Sequence, residues 1–383
     1  MSQPRFKYLV AKSPEELATL LTRYGGKAKV LAGGTDLLGA MKDRVTVPEV
    51  IINIKKIEEL DYIREADGTL KIGALTKLND IEKSPIIRDR YSMLSEAARS
   101  IGSPMIRNMG TIGGNLCQDV RCWYYRASPW CGTAFICYRK GGDTCYVTGH
   151  SQHKGMLSVE ESDFKADELF LYGGGVRVVN PAFALGSLEI TPEVAGDGRY
   201  HSIMGTKVCH AVCPSDMATV LMALGAKVRV MGCDGERMLS VEELWLSDAP
   251  WLAIESDEII SEIQIPAFKG ETVGTYLKLR FRKAVDFSIV SVAALLVREG
   301  SVVKSANIIL GGVAPIPWRA KESEAILKDT SMVGMADMVG EAASIEASPL
   351  AMSAYKVPLS KVAVKQAILN LELETMGHMS KSN

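Results

Sequence analysis

The chain has 383 residues, and at about 150 residues per domain this length implies two or three domains. Its 44 basic and 45 acidic side chains nearly cancel, so bulk charge offers no field for a polyanion and nucleic acid is not an expected partner. With 47% hydrophobic and 23% charged residues the chain reads as globular rather than disordered; apolar runs such as 289–297 fall short of the ~20 residues of a bilayer span, and MSQPRFKYLV lacks the apolar core of a signal peptide, so a cytoplasmic protein with no membrane contact is expected.

The first helix is signalled by Ser13-Pro14-Glu15-Glu16: serine caps, proline suits the first turn and Glu16 closes a capping box. Leu17, Leu20 and Leu21 follow at helical spacing, and Gly25-Gly26 stops the helix. Residues 29–32 read as a strand running into Gly33-Gly34-Thr35-Asp36, then a short helix over 37–41. Residues 50–54 read as the next strand, and 62–74 as a hairpin turning at Asp67-Gly68. Helical patterning returns over 75–100, followed by Gly110-Thr111-Ile112-Gly113-Gly114-Asn115.

Five of the eight cysteines then crowd together at 117, 122, 131, 137 and 145, and two more stand at 209 and 213. In a cytoplasmic chain this argues for metal or redox chemistry before disulfides. Cys233 stands apart and reads as a small packed thiol. Residues 146–200 have weak periodicity and the run Gly173-Gly174-Gly175, as expected of an insertion. Regular structure resumes at Pro214-Ser215-Asp216, which opens a helix to Leu224; a strand follows over 227–231, with a turn at Asp234-Gly235 and a capping box at Ser240 and Glu243. After Pro266 come strands over 275–282, 288–298 and 301–311 and helices over 321–327, 335–345 and 360–374. The second strand is nearly all apolar and therefore central.

Two glycine loops carry the chemistry. Gly-Gly after a strand permits close backbone approach, and amides at a helix start face an anion such as a diphosphate; a tight turn explains the first loop equally well when it is taken alone. The G-x-G-x-x-G spacing of a dinucleotide fingerprint is absent. Thr111–Asn115, about 75 residues on, repeats the small residues, hydroxyl and amide, and two such loops can grip one extended cofactor. His150, His153, His201 and His210 border the insertion and offer a zinc reading, although no short C-x-x-C or H-x-x-x-H pair is present. Trp123 and Trp130 either shield a metal centre or belong to the core.

Ala32-Gly33-Gly34-Thr35-Asp36-Leu37, the loop from Thr111 to Asn115, Pro214-Ser215-Asp216 before Ala223-Leu224-Gly225-Ala226, residues 276–290 (YLKLRFRKAVDFSIV), and Ala354-Tyr355-Lys356 before Lys361-Val362-Ala363-Val364 together resemble the flavin-binding medium subunit of the molybdenum hydroxylases, the xanthine dehydrogenase and carbon monoxide dehydrogenase family. The resemblance implies an α+β chain. A two-part FAD-binding domain, with a small β-α-β-β subdomain at 1–60 and a larger α+β subdomain at 61–265, would precede a C-terminal domain at 270–383 with helices on an antiparallel sheet. It implies FAD contacts at Lys29, Val30, Leu31, Ala32, Gly33, Gly34, Thr35, Asp36, Ile101, Thr111, Gly114, Asn115, Ile260 and Lys278. Many members place an aspartate where this chain has Tyr124, and Asp119 would take over that contact.

Residues 115–125, from Asn115 through Cys122 to Tyr124-Tyr125, further resemble the β subunit of 4-hydroxybenzoyl-CoA reductase, whose extra loop holds a [4Fe–4S] cluster. That resemblance implies Cys122, Cys137, Cys145 and Cys209 as ligands, with Cys131 or Cys213 as substitutes and Cys117 as packing. The implied protein is an electron-transfer subunit with no catalytic residues of its own. It would sit beside a molybdenum-cofactor large subunit and a small [2Fe–2S] subunit, in a dimer of heterotrimers, and take electrons from a ferredoxin-like donor toward an aromatic acyl-CoA. In a hydroxylase-type relative the flow reverses. A stand-alone flavin oxidoreductase and a zinc-binding docking module are the remaining readings.

Overall fold

The structure is a computed structural model that describes residues 5–127, 135–148, 150–151, 197–246, 251–268 and 270–379. The first sheet is small and parallel: β1 (Lys7–Val10), β2 (Ala28–Leu31) and β3 (Val50–Asn53) lie in the order β1-β3-β2, with Val50 level with both Lys7 and Ala28. The central β3 is buried along its whole length. Helix α1 (Pro14–Tyr24) links β1 to β2. Ser13 Oγ accepts from the Glu16 amide, and the Glu16 carboxylate accepts from the Lys12 amide, one residue before the expected box. Leu17 and Leu21 pack with Ala28, Ile52 and Ile54 beneath it. Helix α2 (Leu37–Lys42) follows β2.

The hairpin β4 (Ile63–Ala66) and β5 (Thr69–Gly73) turns with positive φ at both Asp67 (54°) and Gly68 (69°), the geometry that matches strand twist. The hairpin is not part of the small opening sheet; it joins a second, antiparallel sheet of order β4-β5-β10-β8-β9. Its other strands come from β8 (Lys227–Gly232), β9 (Gly235–Ser240) and β10 (Ile259–Pro266), and β10 lies between β5 and β8. Helices α3 (Leu78–Lys83), α4 (Pro85–Arg90), α5 (Ser92–Ser100), α6 (Pro104–Arg107), α7 (Ile112–Leu116), α8 (Trp123–Arg126) and α9 (Asp216–Ala223) fall between the hairpin and β8. A two-stranded ladder, β6 (Thr144–Cys145) with β7 (His150–Ser151), follows α8.

The third sheet runs β11 (Glu271–Leu279), β12 (Val290–Glu299), β13 (Val302–Gly311) and β14 (Trp318–Arg319), all antiparallel, with β15 (Thr330–Ser331) on the end of β13. Side chains on β12 alternate between two cores. Ala293 and Leu295 join the core of α5, α7 and α9, while Val292, Ala294 and Leu296 join that of α10 (Lys321–Leu327), α11 (Ala336–Ala342) and α12 (Lys356–Met379). Burial on both faces is why this antiparallel strand reads as an unbroken apolar run. The expected helices on one face are present; helices from earlier in the chain cover the other.

Candidate functional site: a cofactor cavity beside four cysteines

Where β2 runs into α2, Gly34 takes φ +77° and turns the backbone, and Gly33 lies against the second loop. A Cβ on Gly33 would stand 2.2 Å from the Met109 carbonyl oxygen and 2.9 Å from the Gly110 Cα, so only glycine lets the loops meet. The second loop is itself the start of α7: Thr111 is its N-cap, and its hydroxyl accepts from the Gly114 amide at 3.2 Å. Asn115 Oδ1 accepts from the Ser215 hydroxyl at 2.8 Å and the Met217 amide at 3.3 Å, tying α7 to the start of α9.

Between the loops lies a cavity of about 500 Å³. Lys29, Val30, Ala32, Gly33, Gly34, Thr35, Asp36, Ile101, Thr111, Gly114, Asn115 and Asp119, twelve of the fifteen residues that the resemblance names as FAD contacts, line it. Three expected contacts do not. Leu31 is a strand residue of β2, Ile260 is buried in the main core, and Lys278 is held by Asp216 at 2.7 Å. Cys117, expected to be packing, is exposed and lines the cavity.

Sequence reasoning missed the ionic floor of the site. Asp36 accepts from Arg121 at 2.6 Å, from Arg126 at 3.1 Å and from the Asp119 amide at 3.2 Å. Burial pushes the Asp36 carboxyl up, but the two guanidiniums and that amide outweigh it and leave the group below its ordinary value. Asp119 accepts in turn from the Tyr125 hydroxyl and from Arg139 at 3.0 Å. Arg139 stacks on Trp251, 3.7 Å from the ring centroid, and both line the cavity. The arginines flanking Cys122 were the available signal; their partner lies more than 80 residues away, so no local spacing shows it.

Residues 4–268 match the model of the FAD binding domain in molybdopterin dehydrogenase, and residues 275–371 match the CO dehydrogenase flavoprotein C-terminal domain. The chain belongs to this family of molybdenum-hydroxylase flavin subunits. It is 28% identical to the aldehyde oxidoreductase FAD-binding subunit PaoB of Escherichia coli strain K12, over 93% of this chain and 95% of that one. It is 48% identical to the carbon monoxide dehydrogenase medium chain of Hydrogenophaga pseudoflava, over a stretch spanning 30% of this chain and 40% of that protein. A solved structure of carbon monoxide dehydrogenase from the same organism superposes with a TM-score of 0.66 at 26% identity, covering 97% of this chain and 98% of that one. These likenesses carry the molybdenum-hydroxylase flavin subunit; the narrower resemblance to the 4-hydroxybenzoyl-CoA reductase subunit rests on the cysteine stretch alone.

Beside this cavity, four thiols come near one another. Cys122 lies near Cys137 and Cys209, and both of those lie near Cys145. Val120, Tyr125 and Ala211 pack among them, and Tyr146 leans on the group. Burial pushes the Cys122 thiol up to about 12 and raises Cys137 and Cys209. Tyr124, Phe135 and Tyr146 pack ring on ring at 5.0–6.1 Å beside the thiols. Trp123 instead lies 59% exposed against Tyr200, and Trp130 falls outside the described residues. So does Cys131. Cys213, the other substitute, packs in the main core with Met217 and Ile112. Among the described residues no three His, Cys, Asp or Glu side chains form a group that could hold a single metal ion. Of the histidines, His201 touches Cys122, while the side chains of His150 and His153 fall outside the described residues.

Proposed function

We propose that this chain is an electron-transfer subunit that binds FAD in the cavity between the two glycine loops and a [4Fe–4S] cluster on Cys122, Cys137, Cys145 and Cys209. The observation that carries the reading is the wall shared by the two sites. Tyr125 lines the cavity and packs on Cys137, and Arg139 lines the cavity while bonding Cys209. The cavity suits the flavin because the Gly33 contact keeps the two loops free of an intervening side chain, and the neighbouring cysteines offer the four thiols that such a cluster takes. A cluster is wider than one ion, so its ligands stand too far apart to form a single-ion site.

When bound, FAD exchanges electrons singly or in pairs and the cluster exchanges them one at a time. The chain's own residues position these groups. The loops fix the flavin diphosphate, the Asp36–Arg121–Arg126 network holds the first loop against the cysteine segment, and the aromatic rings limit water at the thiols. We assign residues 1–60 and 61–265 to the two parts of the FAD-binding domain and 270–383 to the C-terminal domain. The partners would be a molybdenum-cofactor large subunit and a small [2Fe–2S] subunit. The names of the relatives, carbon monoxide dehydrogenase and aldehyde oxidoreductase, favour electrons arriving from an oxidised substrate and leaving through this chain. The cysteine stretch favours the reverse, with a ferredoxin-like donor serving an aromatic acyl-CoA reductase. All described cysteines are free, which suits a reducing cytoplasm.

Iron, sulfide and flavin in anaerobically purified protein test the assignment. The expected content is about one FAD with about four irons and four sulfides per chain. Serine at any of the four cysteines should lower iron while leaving FAD in place. Flavin without iron would overturn the cluster and leave a flavin-only subunit.

A further inference from the structure

His201 is buried to 1% exposure and lies outside the four proposed ligands and the cavity lining. Its Nε2 stands 3.2 Å from Cys122 Sγ, and its Nδ1 has no hydrogen-bond partner among the described residues. The backbone that carries the ring is pinned on both sides. The His201 amide donates to the Gly198 carbonyl at 3.0 Å. On one side the Tyr200 carbonyl accepts from the buried Lys356 ammonium at 2.9 Å, and on the other the Ser202 amide and hydroxyl both donate to the His210 carbonyl.

Two roles are open to an imidazole so placed: ligand, or donor to a ligand. The separation favours the donor. Sulfur and nitrogen sharing one tetrahedral ion at ordinary bond lengths stand roughly 3.5 Å apart, farther than found here, whereas 3.2 Å suits an N–H···S hydrogen bond. A metal-bound thiolate carries no proton and can only accept. The tautomer follows. With the proton on Nε2 the sulfur gains a donor, whereas the other tautomer would turn a lone pair toward a thiolate and orphan an N–H at Nδ1.

We propose that His201 is a positioning residue that donates its Nε2–H to Cys122 Sγ when that cysteine is a cluster ligand, drawing charge from the sulfur and raising the cluster's reduction potential. The inference rests on the four-cysteine reading. Hydrogen bonds to the sulfurs are among the features that set iron–sulfur potentials, and partners beyond the ligands tune a metal site. His201 also leads toward Cys209, so one loop would carry a ligand and the donor to another.

The test uses the full-length protein, purified anaerobically, with His201→Leu and His201→Gln beside the wild type. Iron content, FAD content and the midpoint potentials of cluster and flavin are measured on each. Both variants should keep their iron. In His201→Leu the cluster potential should move to more negative values with the flavin potential unmoved, and His201→Gln, which retains an N–H donor, should recover part of the shift. An unchanged cluster potential in His201→Leu, or loss of iron from a variant that keeps FAD, overturns the donor role. A second measurement needs no variant: with 15N-histidine in the wild type, pulsed electron paramagnetic resonance of the reduced cluster should show weak nitrogen coupling. Strong coupling, as from a direct ligand, or none at all, overturns it too. Absence of iron from the wild type is a different failure, because it removes the cluster itself.

Discussion

A methyl group is enough to probe the first flavin loop. At Gly33 it would sit 2.2 Å from the Met109 carbonyl oxygen, and backbone, unlike a flexible side chain, cannot step aside. Gly33→Ala should therefore part the two loops, at the roughly 1–3 kcal/mol typical of overpacking, and weaken FAD binding at least about tenfold while the β cores persist. Flavin absorbance per chain after dialysis, with circular dichroism as the control, reads both effects; full FAD retention would mean that the loops do not close on the cofactor. This residue was legible in the sequence because the glycine pair, the preceding strand and the following helix are local features. Asp36 was legible only as part of that motif. That it is pinned by Arg121 and Arg126 was not, since the pairing depends on how the cysteine segment folds back across the loop.

Between elements, a buried polar tie joins the FAD-binding domain to the C-terminal domain. On β11, Lys278 reaches Asp216 at 2.7 Å and Tyr276 donates to the same carboxylate at 2.6 Å, with Lys278 and Asp216 each only 4% exposed. Removing one member of a buried pair strands the other, typically at about 3–5 kcal/mol. Lys278→Met should therefore lower the urea midpoint sharply, and Asp216→Asn with Lys278→Met should cost less than the sum of the single changes. FAD content per folded chain should stay unchanged. A loss of flavin without a loss of stability would restore Lys278 to the cofactor site. Strand spacing fixes that Lys278 shares a face with Tyr276, but not that this face meets the start of α9, so the Asp216 partner was not legible in the sequence. The apolar run of β12 was legible because burial on both faces leaves a compositional mark. The membership of the hairpin was not, because β10, the strand that claims it, lies almost 200 residues later.

At the scale of the whole molecule, one ammonium joins three distant stretches. Lys356, at the start of α12, is buried to 1% exposure and donates to the Tyr200 carbonyl beside the cysteine site and to the Gly312 carbonyl just beyond β13, each at 2.9 Å. Burial pulls its pKa from the ordinary 10.5 down to about 7. Below pH 7 the side chain is charged in both folded and unfolded chains, and folding bears the full desolvation cost. Above pH 7 the folded chain releases the proton while the unfolded chain keeps it until about pH 10.4. The folded state then binds fewer protons, so stability rises with pH across that window, by at most about 1.4 kcal/mol per pH unit from this one group. Lys356→Met removes the titration together with both hydrogen bonds. Urea unfolding of wild type and variant between pH 7 and 10 should thus show the wild type gaining on the variant as pH rises; groups that titrate alike in both, the cysteine thiols included, cancel in the difference. A difference that stays flat with pH would mean that Lys356 holds its proton when buried, and that the two carbonyls alone keep the ammonium charged at the junction of α12, β13 and the cysteine site.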